Sequence, residues 1–245
     1  MLTFAQNLKM QFRTLTHFSD IPQKAFKYWA GSLVFQLLFS MIYFTIYLSL
    51  TFFVFNYFGI MGQINELSTY VNGDTEVLKE KYIEILSSEN FKMASLCTII
   101  ISAIVWPLNL GLLRIYLKMD QRESVSTSDL FIAYEGSNFF KFLSYGLFWS
   151  AFYFLAKSFI ILAPIWVLIT LFVGPLMLFK NLDFKTAFQL GLQAISKNIP
   201  AALLVLIVGV MGSYCGIFLF GFGLFLTFPF WNALIYTFYK EVFIN

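Results

Sequence analysis

The stretch from Ile199 to Tyr239 contains no charged residue at all. A helix needs about 20 residues to cross the roughly 30 Å of hydrocarbon in a bilayer. One helix over the whole stretch would be about 60 Å long, which exceeds any ordinary bilayer even when the helix is tilted. The stretch therefore predicts two crossings that form a tight helical hairpin. Gly221 and Gly223 mark its turn, because glycine permits a backbone reversal with little side chain in the way.

The same reasoning applies to the rest of the chain. Residues 142–179 carry no charge except Lys157 and are again long enough for two crossings, whereas 28–58 and 93–117 are each long enough for one. Only 12% of the residues are charged, about half the share usual in a soluble domain. We therefore predict an all-α polytopic membrane protein, a single domain over 28–245 with six transmembrane helices as three hairpins. The predicted spans are about 28–58, 93–117, 138–157, 159–180, 199–220 and 223–240.

The distribution of Lys and Arg predicts the orientation, because basic residues beside the spans are retained in the cytoplasm. With both termini cytoplasmic, twelve of the sixteen basic residues lie inside. The four outside are Lys79, Lys81, Lys92 and Lys157. The segment 59–92 is then an extracytoplasmic loop. Within it, the apolar spacing of TEVLKEKYIEIL, after the turn signal at Asn72–Asp74, predicts a short amphipathic helix.

An amphipathic segment precedes each odd-numbered span on the cytoplasmic side: residues 1–27, STSDLFIAYEG from Ser126, and LDFKTAFQLGLQAISKN from Leu182. We expect these segments to lie in the plane of the membrane interface. A hydroxyl of Ser126 or Ser128 can cap the second segment, and Asp183 can cap the third. YWAGSLVFQLL and AYEGSNFFKFL, at the first and third spans, resemble each other, and AISKNIPAALL is a more diverged copy. The chain is thus interpreted as three repeated units of interfacial helix and hairpin.

Two longer stretches resemble a known family. The first runs from Gly111 to Gly136 and the second from Ala187 to Phe243. The positions that carry the resemblance are Gln121, Arg122, Glu123 and Asp129 to Phe131, then Ser196, Lys197, Asn198, Gly216, Gly223, Thr227, Pro229 and Tyr239. They resemble a bacterial six-span superfamily that includes the membrane domain fused to some bacterial glycerophosphoryl diester phosphodiesterases and its stand-alone relatives of unknown function. The resemblance implies the fold and the bacterial inner membrane, but no reaction, since this chain carries no phosphodiesterase domain beside the spans.

Residues that would perform chemistry are scarce in this sequence. His17 is the only histidine, and CxxC and HExxH are absent, which argues against a metal site. GxGxxG, GxxxxGK[ST] and GxSxG are absent as well, so phosphate-binding loops and a serine nucleophile are not indicated. The net charge of +3, without a basic cluster, does not indicate nucleic acid. We predict neither enzymatic activity nor a bound cofactor.

The polar groups inside the spans leave two interpretations open. Asn109 and Asn232 follow Pro107 and Pro229, and a proline kink frees a backbone carbonyl and leaves room for a polar side chain. The two asparagines either satisfy the kinked backbone or line a crevice of the size of a lipid or solute. Gly209, Gly212 and Gly216 form a surface of small residues that favours packing against the sixth span over dimerisation.

These observations favour a non-enzymatic inner-membrane protein that acts as a scaffold or accessory subunit. Its expected partners are membrane lipids and another membrane or cytoplasmic protein, which would dock on the amphipathic segments. The alternative is a channel or carrier for a lipid or small amphiphile, which would use the crevice among the proline-containing helices. Charged residues inside the spans usually accompany ion-coupled transport, and the interiors of these spans have none.

Overall fold

The computed structural model describes residues 12–70, 75–136, 138–159, 161–218 and 221–244. Within these ranges the regular secondary structure is entirely helical, as predicted. The α-helices are α1 (Ile21–Gly31), α2 (Leu33–Tyr57), α3 (Ile60–Tyr70), α4 (Thr75–Ser87), α5 (Glu89–Val105), α6 (Leu108–Gln121), α7 (Asn138–Ala156), α8 (Leu162–Thr170), α9 (Val173–Phe179), α10 (Phe184–Lys197), α11 (Ile199–Tyr214), α12 (Leu224–Thr227) and α13 (Phe230–Phe243). Two 3-10 helices, Thr127–Tyr134 and Cys215–Phe218, complete the described elements.

Five helical segments of the described chain are long and apolar enough to cross a membrane, so the chain is a membrane protein. They are Leu33–Tyr57 (α2), Glu89–Gln121 (α5 and α6), Asn138–Ala156 (α7), Leu162–Phe179 (α8 and α9) and Ile199–Phe218 (α11 and the 3-10 helix after it). The sixth predicted span, 223–240, is not among them. Pro229 divides that stretch into α12 and α13, neither of which is long enough alone.

Three proline residues coincide with helix breaks. Pro107 separates α5 from α6, and Pro229 separates α12 from α13. Pro175 lies four residues after Leu171, where α8 gives way to α9. A proline has no N–H for the carbonyl four residues earlier, and its ring crowds that carbonyl, so the helix breaks or kinks there.

The first predicted span, 28–58, is two helices in the structure rather than one. Ser32 lies between α1 and α2, and its hydroxyl donates a hydrogen bond to the Tyr28 carbonyl at 2.8 Å. Such local bonds compete with the backbone pairing of a regular helix and bend it. Apolar residues continue on both sides of Ser32, so hydropathy gave no sign of the break. Tyr28 consequently belongs to α1, outside the apolar crossing Leu33–Tyr57.

The helices differ strongly in how far they are buried. In the most apolar window of α5 and α6, 50% of the residues are buried inside the protein, against 11% in the window of α2. Helix α13 buries most of its length, including Tyr236 and Tyr239, and packs against α1, α6 and α11. Helices α6 and α13 therefore form the centre of the bundle, and α2 presents apolar side chains such as Phe53 to the surroundings.

Several local predictions are confirmed. Asp183 caps α10 by accepting a hydrogen bond from the Thr186 N–H at 3.1 Å, and Ser126 forms a capping box with Asp129. The amphipathic segment after Asn72–Asp74 forms α4, while that turn itself lies outside the described residues. Residues 1–11 of the predicted N-terminal segment 1–27 also lie outside them. Helix α3 was not predicted.

The three predicted units have the same order of elements, but their backbone conformations differ. A short helix precedes α2, α7 and α11 in turn, namely α1, the 3-10 helix Thr127–Tyr134 and α10. The aligned glycines differ, however: Gly31 ends α1, whereas Gly136 has a φ of +55° in the turn before α7. The internal repeat stays a prediction from the sequence.

Candidate functional site

The two kink asparagines contact each other. The Asn232 side-chain amide donates to the Asn109 Oδ1 at 3.1 Å, and the Asn109 amide donates to the Trp106 carbonyl at 2.8 Å. Asn232 is 2% exposed. The pair thus joins the kink at Pro107 to the kink at Pro229 and occupies the position at which the sequence suggested a crevice. Asn109 thus satisfies a backbone carbonyl at its kink, whereas the Asn232 amide bonds to a side-chain oxygen instead of the backbone.

Two aromatic side chains donate hydrogen bonds to backbone carbonyls at the kinks, and neither contact was predicted from the sequence. The Tyr134 hydroxyl donates to the Ile104 carbonyl at 2.7 Å, beside Pro107. The Trp29 indole N–H donates to the Leu226 carbonyl at 2.8 Å, beside Pro229. Each donor comes from the short helix of a different unit, the 3-10 helix Thr127–Tyr134 and α1. Carbonyls left without a partner in an apolar environment are costly, so these contacts stabilise the broken helices.

The three predicted packing glycines all face the last segment of the chain. A Cβ atom on Gly209 would collide with the Trp231 ring, and one on Gly212 with the Phe230 ring. One on Gly216 would collide with the backbone of Gly223. The glycine surface of α11 is therefore occupied within the molecule, by the segment that leads into α13.

A polar cluster lies where α1, α6 and α13 meet. The Asp120 carboxylate accepts hydrogen bonds from the Tyr28 hydroxyl at 2.7 Å and the Tyr236 hydroxyl at 2.6 Å, and the Lys240 ammonium lies 2.7 Å from it. Lys240 also donates to the Tyr28 hydroxyl at 2.9 Å. The sequence analysis did not predict this cluster, because its members lie far apart in the chain. An acidic residue at the end of an apolar helix was the one available signal.

A cleft of about 490 Å³ opens beside this polar cluster. Lys24, Lys27 and Lys240 line it, together with Asp120 and Glu241. Most of these charges are already paired: the Lys24 ammonium lies 2.6 Å from Glu241 and 2.8 Å from Asp20. The hydrogen bonds to Asp20 and Glu241 raise the pKa of Lys24 above its ordinary value. The arrangement holds α1, α6 and α13 together.

A second ion pair secures the 3-10 helix Thr127–Tyr134 to α6. The Lys118 ammonium lies 2.7 Å from the Asp129 carboxylate, which also accepts a hydrogen bond from the Ser126 N–H at 2.8 Å. Burial alone would raise the pKa of Asp129, but Lys118 and Ser126 outweigh it and hold the pKa below its ordinary value. In contrast to the caps, this pairing across elements was not predicted.

The described residues bring together no group of three or more His, Cys, Asp and Glu side chains that could hold a metal ion. Cys97 and Cys215 are both free thiols. No family model, curated protein or solved structure is significantly similar to the chain. The function therefore has to be argued from the geometry of the fold.

Proposed function

We propose that the chain is a six-span protein of the bacterial inner membrane, with both termini cytoplasmic, that serves as a scaffold or accessory subunit. The resemblance to the six-span superfamily remains part of this proposal. In the role proposed, the bundle is a rigid membrane anchor, and its cytoplasmic end, with the short amphipathic helices, binds a partner protein.

The contacts between the two ends of the chain support an even number of crossings. The Arg13 N–H donates to the Val242 carbonyl at 2.9 Å, and Lys24 pairs with Glu241. Both ends of the described chain thus meet at the same end of the bundle. Five crossings would leave the ends on opposite sides, so this contact favours a sixth crossing. Residues 224–243 can supply it, because about 20 helical residues span the hydrocarbon even with a kink at Pro229.

The observation that carries the scaffold role is the contact between Asn109 and Asn232. A carrier that used the proline kinks would need an opening between α6 and α13. The side chains of Asn109 and Asn232, joined by a hydrogen bond of 3.1 Å, occupy that position. The packing of Gly209 against Trp231 closes the neighbouring seam between α11 and α13. A closed bundle is suited to holding other molecules in place rather than to moving cargo through itself.

Exposed apolar side chains on the short helices support partner binding at the cytoplasmic end. Phe26 on α1 and Phe131 on the following 3-10 helix are both exposed. The 3-10 helix begins beside the end of α6, since Asp129 pairs with Lys118. Aromatic residues that stay exposed at such a position either enter the membrane interface or contact a partner.

Site-specific photo-crosslinking in cells tests the scaffold role. A photoreactive amino acid replaces Phe26 or Phe131 in separate variants, and Phe53 on the outer face of α2 serves as the matched lipid-facing control. We expect a protein adduct of one defined mass at Phe26 or Phe131 and none at Phe53. Gentle extraction followed by native mass spectrometry should show the same mass. A strictly monomeric protein without protein adducts at either position would overturn the proposal.

A further inference from the structure

Lys141 differs from the other partly buried lysines in what surrounds its charge. Its ammonium donates to the Asn181 Oδ1 at 2.9 Å and to the Met177 carbonyl at 3.1 Å, both of them neutral oxygens. Lys24, Lys118 and Lys240 each pair with a carboxylate. Within the described chain Lys141 forms no such ion pair. An ammonium has three N–H donors, so one donor and the full positive charge remain available.

The ammonium faces a cleft of about 470 Å³ between α7, the end of α9 and the start of α10. Ser144, Asn181 and Asp183 are the other polar or charged residues in the lining. The rest of the wall is aromatic or aliphatic: Tyr145, Phe148, Met177, Leu182 and Phe184. The size is that of a site for a small organic molecule. The cleft thus combines one cation, one carboxylate and a few neutral polar groups with a largely apolar wall.

The polar and apolar parts of the cleft are separated along the direction of α7. Lys141 lies in the first turn of the helix, and Phe148 lies seven residues further on, about 10 Å along the axis. Beyond it the aromatic surface continues, because Phe148 and Phe152 both contact the Trp166 ring, at 5.7 Å and 5.1 Å between centroids. A ligand here meets a positive charge at the membrane boundary and an apolar track that leads into the membrane.

Lysines in and beside this cleft outnumber its one acidic residue. Asp183 is the acidic residue in the lining. Both of its oxygens accept hydrogen bonds from Thr186 at the start of α10, which hold the carboxylate in place and leave its negative charge in the cleft. The exposed Lys180 and Lys185 flank the lining segment 181–184 in the chain. The cleft beside Asp120, by contrast, sets two carboxylates against its three lysines.

We propose that this cleft binds one anionic phospholipid, with the phosphate group at Lys141 and Ser144 and the upper part of an acyl chain along Phe148. We favour a lipid over free phosphate, because a soluble anion would make no contact with the apolar part of the cleft. It goes beyond the scaffold role and does not depend on it. The lipid would fix the start of α7 against the end of α9.

Native mass spectrometry of the full chain in mild detergent tests the lipid site. Phosphatidylglycerol and phosphatidylethanolamine are titrated separately, and the first bound lipid is quantified. We expect the first phosphatidylglycerol to bind more tightly than the first phosphatidylethanolamine. Lys141→Gln should weaken that first event about tenfold or more, since a charge-assisted hydrogen bond is lost. Lys141→Arg should retain most of the binding.

Two further variants separate the site from general effects on the bundle. Lys27→Gln removes an exposed lysine from the other cleft and should leave the first event unchanged. Ser144→Trp keeps Lys141 but fills the cleft, so it should abolish the first binding event. Ser144 is exposed, and its replacement therefore does not disturb the core. Thermal unfolding in detergent checks that each variant is folded.

Several outcomes would overturn the proposal. Equal affinity for the two lipids would remove the preference for an anion. Wild-type binding by Lys141→Gln or Ser144→Trp would place the lipid elsewhere, as would loss of binding in Lys27→Gln. Displacement of phosphatidylglycerol by millimolar inorganic phosphate would assign the site to a soluble anion instead of a lipid.

Discussion

The Lys240 ammonium lies 2.7 Å from the Asp120 carboxylate and thereby joins the end of α13 to the end of α6. Hydroxyl groups of Tyr28 and Tyr236 donate to the same carboxylate. Asp120 is thus the point at which three helices, α1, α6 and α13, are connected by polar contacts. Because α13 is the last described helix and α1 the first, these contacts also hold both ends of the described chain against α6, which lies near its middle.

Asp120→Asn should destabilise the folded protein by about 2 kcal/mol. The estimate lies between the values for exposed and buried ion pairs, since both partners are about one quarter exposed. The substitution keeps the shape of the side chain but leaves Lys240 with an uncompensated charge. Equilibrium unfolding in mixed detergent measures the free energy of unfolding.

Lys81→Gln is the matched control for Asp120→Asn. It removes one partner of the ion pair between Lys81 and Glu84, in which both side chains are largely exposed. Solvent screens that pair, so we expect no measurable change. If the two variants unfold alike, Asp120 does not connect the three helices in the way described.

Gly209→Ala should destabilise the protein by about 1–3 kcal/mol, because the added Cβ collides with the Trp231 ring in a packed interface. Gly62→Ala is the matched control, since Gly62 also lies in a helix, α3, but has nothing within 4 Å of the added atom. It should be neutral or slightly stabilising. Equal losses in the two variants would mean that α11 does not pack closely against α13 at Gly209.

The part of the fold that could be predicted from the sequence depends on local patterns. The cap at Asp183 and the turn at Gly221, which has a φ of +81°, follow from residues that are neighbours in the chain. The same holds for the helix breaks at the prolines. In each case the physical cause acts within a few residues, and sequence reasoning has access to it.

The polar contacts that position the helices could not be predicted in the same way. Tyr134 reaches the carbonyl of Ile104, and Tyr28 reaches Asp120, across 30 and 92 positions of the chain. Neither tyrosine lies in a motif, and an aromatic residue near a membrane boundary ordinarily indicates the interfacial belt. Only the tertiary fold shows which carbonyl or carboxylate each hydroxyl meets.

Asp129→Asn should make the stability of the protein less dependent on acid pH. The pKa of Asp129 is held below its ordinary value, so its ionised form stabilises the fold above the unfolded pKa of about 3.9. That stability is lost as the pH falls through the lower pKa of the folded state. At pH 7 the variant should be about 3 kcal/mol less stable, because Lys118 is partly buried and loses its carboxylate partner.

Unfolding midpoints measured from pH 7 down to pH 2 test this expectation. The difference between the parent and Asp129→Asn should stay constant down to about pH 4 and shrink below it, since the parent then loses the same interaction by protonation. Glu123→Gln, at an exposed position near the same helix end, should match the parent throughout. A difference that stays constant with pH would show that Asp129 acts through the shape of the cap rather than through its charge.

Cysteine accessibility decides whether residues 224–243 cross the membrane. In a background without Cys97 and Cys215, Phe222→Cys lies in the exposed turn before α12, and Ile244→Cys lies just after α13. Six crossings predict that an impermeant maleimide labels Phe222→Cys in intact spheroplasts and labels Ile244→Cys only after lysis.

Ser158→Cys, in the turn after α7, should behave as an outside control, and Ser196→Cys, near the end of α10, as an inside control. Labelling of Phe222→Cys and Ile244→Cys from the same side would mean that the last segment enters the membrane without crossing it. The contact between Arg13 and Val242 argues against that outcome, because it requires the chain to return to the side on which it began.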